Sequence, residues 1–274
     1  MLLIRLSGPA LAGAFLFTSI ATAIATGNFA AAVVGYSPGT GFATEFGTGL
    51  GYTNATAALG QPNVNTSFDP VTPFNPPFDR AELVSLGTNG WLVVQFLDPI
   101  FNDPGNPFGL DFIIYGSTGF IDVDYPNGLT DGLASTFGAN AGQTRVSVSS
   151  DGVSFFTLDP SLAPTVDSLW PTDGAGTFGV PVNPALTSAD FANKSLAQIR
   201  ALYGGGAGGT AYDLAWARDG NDQPVTLTSI SFVRVDVLSG RSEIDGFAAV
   251  VPEPGAAALA LLGGGLVWLR RRKR

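Results

Sequence analysis

The sequence predicts an all-β protein, an antiparallel β-sandwich with one short packing helix. Three observations carry that expectation. Gly, Pro, Asn and Asp clusters punctuate short runs enriched in Val, Ile, Phe and Thr, the residue types that suit a pleated, half-buried surface. Two alternating runs, Thr144 to Ser150 and Val153 to Leu158, flank Asp151-Gly152, a pair suited to a type I′ hairpin turn. No internal repeat of useful period is present, which argues against a solenoid or a propeller.

Taken along the chain, Met1 to Ala25 has one cation, Arg5, then an apolar run through Phe15-Leu16-Phe17, then small residues at Ala21-Thr22-Ala23 and Ala23-Ile24-Ala25. That is the pattern of a secretory signal peptide, so residues 1–25 are expected to be a signal helix and residues 26–250 an exported domain. Within that domain the expected strands are Trp91 to Leu97, Asp111 to Tyr115, the hairpin, Ser229 to Leu238 and Glu243 to Val250. In Phe232 to Val237, alternation places Val233, Val235 and Val237 on one face and Arg234 and Asp236 on the other. One helix is expected, with Ser195 as N-cap, Leu196, Ile199 and Leu202 on its buried face, and Gly204-Gly205-Gly206 as its stop. Turn-rich stretches, Pro104 to Gly142 and Asp159 to Asp190, read as long loops, where binding residues concentrate on a β-scaffold.

The last residues have a different character. Pro252-Glu253-Pro254 precedes an uncharged apolar stretch from Gly255 to Leu269, and the chain closes on Arg270-Arg271-Arg272-Lys273-Arg274. At ~1.5 Å per residue the apolar stretch spans roughly 22 Å as a helix, short against the ~30 Å of a bilayer core. The basic cluster should stay cytoplasmic and leave everything before Val251 outside. Motif, apolar helix and basic cluster in this order resemble the PEP-CTERM sorting signal of Gram-negative bacteria, here residues 251–274. The resemblance implies recognition of Pro252, Glu253 and Pro254 by an exosortase-like enzyme, a transient transmembrane helix in the inner membrane, and delivery to the cell envelope or extracellular matrix. It further implies an association with exopolysaccharide and biofilm.

Composition narrows the chemistry. Of 13 Lys and Arg, only seven fall in residues 26–250, against 21 Asp and Glu, a net charge of about −14 that excludes nucleic acid as a partner held by bulk charge. With neither His nor Cys, the chain has no catalytic triad, thiol nucleophile, conventional zinc site or disulfide. Carboxylate-only glycan hydrolysis or lyase chemistry remains open in principle, with Asp213 and Asp245 as its candidate pair.

The order of elements is Ala58-Leu59-Gly60-Gln61-Pro62, Gly90 to Val94, the Ser-Asp-Gly hairpin, Phe232 to Val235 and the closing Glu243 to Phe247. It resembles the galactose-binding-like jelly roll of discoidin-type and carbohydrate-binding modules. Asn102, Asp103 and Asn106, with Asp111 at the start of the next strand, offer the oxygens a structural Ca²⁺ requires, while an Asx-rich turn explains the same residues. Among the aromatic residues in or beside loops (Phe120, Tyr125, Trp170, Tyr203), Trp170 is the candidate for stacking on a sugar; Trp91 and Trp216 read as core. The expected function is that of a non-catalytic, exported surface or matrix protein binding or organising exopolysaccharide. A purely structural, calcium-stabilised surface protein is the alternative.

Overall fold

The computed structural model describes residues 28–138, 142–168 and 170–251. The expected signal peptide and the sorting segment after Val251 lie outside the described residues. No helix among the described residues is long and apolar enough to cross a membrane.

Among the described residues there are thirteen strands and one α-helix, in the order β1 (Ala30–Ser37), β2 (Val84–Gly87), β3 (Trp91–Phe101), β4 (Phe112–Tyr115), β5 (Gly119–Phe120), β6 (Thr136–Phe137), β7 (Gln143–Ser149), β8 (Phe156–Leu158), α1 (Leu196–Leu202), β9 (Thr210–Tyr212), β10 (Ala217–Arg218), β11 (Ser229–Ser239), β12 (Arg241–Ile244) and β13 (Gly246–Ala249). One layer is a six-stranded antiparallel sheet in the order β1-β3-β11-β7-β8-β10. Facing it are the three-stranded sheet β13-β4-β9 and the pair β12-β2. A single core cluster takes Leu92, Val94, Val146, Val148, Val233 and Val235 from the first layer and Val84, Leu86, Phe112, Ile114, Ile244 and Phe247 from the second. Two antiparallel layers sharing one apolar interior form a sandwich.

The period-2 pattern of β11 works as its sequence predicts: Val233, Val235 and Val237 are buried in the core. On the outer face Arg234 grips Asp236 at 2.7 Å and lies over the Trp91 ring at 4.9 Å from its centroid. Trp91, expected in the core, is therefore a half-buried platform for a guanidinium on the outer face.

Two expectations are corrected. The 144–158 hairpin forms, with Ser147 opposite Thr157 and Val148 opposite Phe156, but residues 150–155 make its turn instead of Asp151-Gly152 alone. The Asp151 carboxylate accepts hydrogen bonds from the Val153 and Ser154 amides, both at 2.8 Å, and this local closure replaces the two-residue turn. The single strand expected from Glu243 to Val250 is two strands that break at Asp245, β12 pairing with β2 and β13 with β4. Asp245 is buried, and its carboxylate accepts from the Asn63 amide and side chain, so the backbone turns there to present the acid to its partner.

Helix α1 matches its reading. Ser195 and Gln198 form a capping box, Ile199 is buried, and Tyr203 follows into a satellite cluster with Phe120 and Phe191. The glycines after it are more than a stop. Residues 206–209 are buried, and a Cβ at Gly209 would stand 2.7 Å from the side chains of Ile113 and Tyr115, so β9 can only lie this close to β4 because the residue before it lacks a side chain.

Truncating a ring at the interface of the two layers is the direct test of this architecture. Phe247→Ala should lower unfolding free energy by about 3–5 kcal/mol, read from denaturant melts. The exposed Phe101→Ala should change it by no more than about 0.5 kcal/mol.

Candidate functional site

The turn that begins at Asn102 and ends at Asp111 organises the neighbourhood of the site. Asp111 is fully buried, and its Oδ1 accepts from the Asp103 amide and from Asn106 Nδ2, both at 3.0 Å, while its Oδ2 accepts from the Leu214 amide at 2.9 Å. Burial pushes the carboxyl above its usual range, and these three donors pull against that shift. Asn102 points elsewhere, its Nδ2 donating to the Leu227 carbonyl at 3.1 Å. The structure thus brings Asp103, Asn106 and Asp111 together as a hydrogen-bonded turn. Among the described residues, no group of three His, Cys, Asp or Glu side chains is placed to hold a metal.

The bond from Leu214 connects this turn to the short helical turn Leu214–Trp216. Asp213 caps that turn through the Ala215 amide at 2.7 Å. Asp159 closes it from the other side, its amide donating to the Trp216 carbonyl at 2.9 Å and its carboxylate pairing with Arg218 at 2.9 Å. Trp216 is consequently held half-buried, packed against the main core as its sequence context suggested while also lining a cleft.

Trp170 shares a cleft lining with it. Its backbone has φ +60°, a left-handed conformation that is strained for a bulky residue by about 1–3 kcal/mol. Three contacts hold it there. The Trp170 carbonyl accepts from the Gly209 amide at 2.8 Å, the indole tilts onto Phe191 at 5.1 Å, and the Tyr203 hydroxyl donates to the next carbonyl, Pro171, at 2.7 Å. A Cβ at Gly208 would come within 2.3 Å of the Pro171 carbonyl, so the glycine-rich segment is what lets this loop lie down on β9.

Trp170 and Trp216 line one cleft of about 350 Å³, with Thr210 and Ala211 of β9, Leu110, Leu162 and Leu186 among its other walls. Among the described residues, no charged side chain lines it. Thr210 is 2 % exposed and its Oγ1 has no hydrogen-bond partner among the described residues, a buried hydroxyl that costs free energy unless something reaches it. The volume suits a monosaccharide-sized group, and a cleft lined by two indoles can pack an apolar ring face.

The other sequence candidates fall elsewhere. Phe120 and Tyr203 are buried in the satellite core, and Tyr125 is exposed in its loop. The acidic loop residues close turns: Asp122 accepts from the Asp124, Gly128 and Leu129 amides, Asp131 from Leu133 and Ser135, and Asp219 from Asn221 and Gln223. Asp213 and Asp245 are not brought together as a reacting pair. The carboxylates whose charge reaches Asp245 are Glu82 and Asp167, whereas Asp213 acts on Asp111. Sequence reasoning missed Thr210 and Trp216, since one sits in an ordinary strand motif and the other in an apolar run.

No family profile matches the chain, and no curated protein matches it. Among solved structures it is similar to a pectin-binding carbohydrate-binding module, at 12 % sequence identity over 63 % of this chain and 73 % of that one, with a TM-score of 0.23. A superposition that loose carries no argument about what this chain does.

The buried acids make stability depend on pH. Desolvation raises both Asp167 and Asp245 to about 7 despite the amide donors each one has. Between the unfolded value near 4 and the folded value near 7 the folded state holds protons that the unfolded chain has released, so stability falls as pH rises through that window. The melting temperature should therefore decline from pH 5 to pH 8, and Asp245→Asn should flatten that decline, measured by circular dichroism at fixed ionic strength.

Proposed function

We propose that this chain is an exported, non-catalytic surface or matrix protein whose sandwich, of the galactose-binding-like jelly-roll type, binds neutral glycan in the Trp170–Trp216 cleft. The observation that carries the proposal is that two half-buried indoles, one held at a strained backbone position, share the lining of one cleft whose described lining residues are uncharged. Sugars present an apolar ring face to aromatic planes, and the two indoles answer to that chemistry. Among the described residues the same cleft has no carboxylate in its lining, which favours binding over hydrolysis.

In this reading the ligand is exopolysaccharide of the producing cell. The Pro252-Glu253-Pro254 motif, apolar stretch and Arg270 to Arg274 cluster deliver the protein through an exosortase-like enzyme, after transient anchoring in the inner membrane of a Gram-negative bacterium. A domain charge near −14 keeps the module from adhering to anionic lipid or nucleic acid and leaves neutral polysaccharide as the compatible polymer.

A second reading, a structural calcium that stiffens the Asn102 to Asp111 turn, is favoured by one atom. Asn106 Oδ1 is buried with no hydrogen-bond partner among the described residues, beside the Asp111 carboxylate, and would be an oxygen available to a hard cation. Calcium at a hundredfold excess over Kd should then raise unfolding free energy by about 2.7 kcal/mol over chelator. Superimposable melts with calcium and with chelator would remove the ion from the account.

Binding to exopolysaccharide of the producing cell tests the main proposal. The purified protein should bind saturably, and Trp170→Ala and Trp216→Ala should each weaken binding by roughly tenfold or more, a loss of ~1–3 kcal/mol as for other aromatic stacking contacts. Wild-type binding by both variants at unchanged stability would refute the assignment of the cleft.

A further inference from the structure

A second cleft, of about 330 Å³, opens beside β12. It differs from the first in having a carboxylate and a guanidinium in its lining. Tyr52, Phe74, Phe78 and Phe137 line it together with Glu243 and Arg241. Phe78 and Phe137 remain 41 % and 46 % exposed, so their rings are available to a ligand.

The wall is held in place before any ligand arrives. The Glu82 carboxylate accepts from the Phe78 and Asp79 amides at 2.9 and 3.0 Å, and the Tyr52 hydroxyl donates to the Phe78 carbonyl at 2.8 Å. Phe78 is thus fixed from both sides, and its ring stacks in parallel on Phe68 at 5.9 Å. A preformed wall lowers the ordering cost of binding.

Glu243 is 8 % exposed yet lines the cleft. Its Oε2 accepts from the Ser117 hydroxyl at 2.6 Å. Among the described residues no donor reaches Oε1 within hydrogen-bond distance; the nearest cation is Arg241 Nε at 4.0 Å, on a side chain 45 % exposed. The surrounding field is negative. Glu243, Glu45 and Asp79 all act on the Tyr52 phenol against Arg80, which is itself paired with Glu45 at 3.3 Å. Aromatic faces carry negative electrostatic potential, and the Glu243 carboxyl, which burial pushes above its usual range, adds negative charge in the ionised form that a bound cation favours. An anion would meet the Glu243 carboxylate in the lining, and a neutral ring would leave its Oε1 without a close donor.

We propose that this second cleft binds an organic ammonium group, with Glu243 as the counter-charge and the four aromatic rings as its walls. Arg241, at the rim and half exposed, swings away as the ligand's cation takes its place beside Oε1. The ammonium can belong to an amine-bearing sugar or to a quaternary headgroup of the choline type, since both offer the same charge to the same walls. This proposal does not rest on glycan binding at Trp170 and Trp216.

Calorimetric titration of the whole protein at pH 7 tests it, using glucosamine and choline as probes and glucose and N-acetylglucosamine as neutral controls. Saturable binding of at least one ammonium probe, absent for the neutral controls, is the expected result; which probe binds identifies the source. Glu243→Gln, which can keep the bond from Ser117, should weaken that binding by about tenfold or more, and Phe78→Ala should weaken it as well. Trp170→Ala should leave it unchanged, so the two clefts fail or succeed separately. Absence of binding by both ammonium probes, equal binding of the neutral sugars, or binding unaffected by both Glu243→Gln and Phe78→Ala would overturn the proposal.

Discussion

Asp111 joins more of this molecule than any single apolar contact. Its main chain donates to Tyr212 and accepts from Val250, tying the start of β4 to the strands on either side. Its side chain holds the Asp103 amide, the Asn106 side chain and the Leu214 amide. One buried carboxylate therefore positions a surface turn, the edge of the smaller sheet and the helical turn that presents Trp216. A charge in the interior must be paired or hydrogen-bonded to be tolerated, and here that requirement gives three separate segments one position relative to one another.

The same requirement recurs through the facing layer. Asp245 takes its donors from Asn63, and Asp167 takes its own from the Ser117 and Thr118 amides. A Cβ on Gly116 would fall about 2.1 Å from the Asp167 carboxyl carbon, so glycine there is what admits the acid. Ser117 donates its amide to Asp167 and its hydroxyl to Glu243, carrying the network to the floor of the second cleft. A chain with no cysteine cannot staple its long loops with disulfides, and these buried acids hold them to the sandwich instead.

The two clefts lie at opposite ends of a continuous row of rings. Phe74, in the wall of the ammonium-type cleft, packs on Phe120 at 6.3 Å; Phe120 stacks on Phe191 at 5.6 Å; Phe191 meets Trp170, in the wall of the glycan-type cleft, at 5.1 Å. This row is the satellite core that the long turn-rich stretches bury when they fold over the side of the sandwich. The loops are thus packed structure with an interior of their own, and the surfaces they present inherit its rigidity.

Much of the sandwich was legible in the sequence because strand burial leaves a local trace. Alternation in β11, the 144–158 hairpin and the capped helix at Ser195 each follow from the spacing of neighbours along the chain, as does the exclusion of thiol and histidine chemistry by composition. Trp170 could be singled out as a loop tryptophan, and the turn at Asn102 to Asp111 as a polar cluster, for the same reason. What that cluster holds, and that Trp216 shares a cleft lining with Trp170 and Thr210, was decided only in the tertiary structure. These relations join residues 103, 111, 170, 210 and 216 through contacts between separate strands and loops, and no local pattern encodes which distant segment a buried carboxylate or a glycine-backed strand will meet.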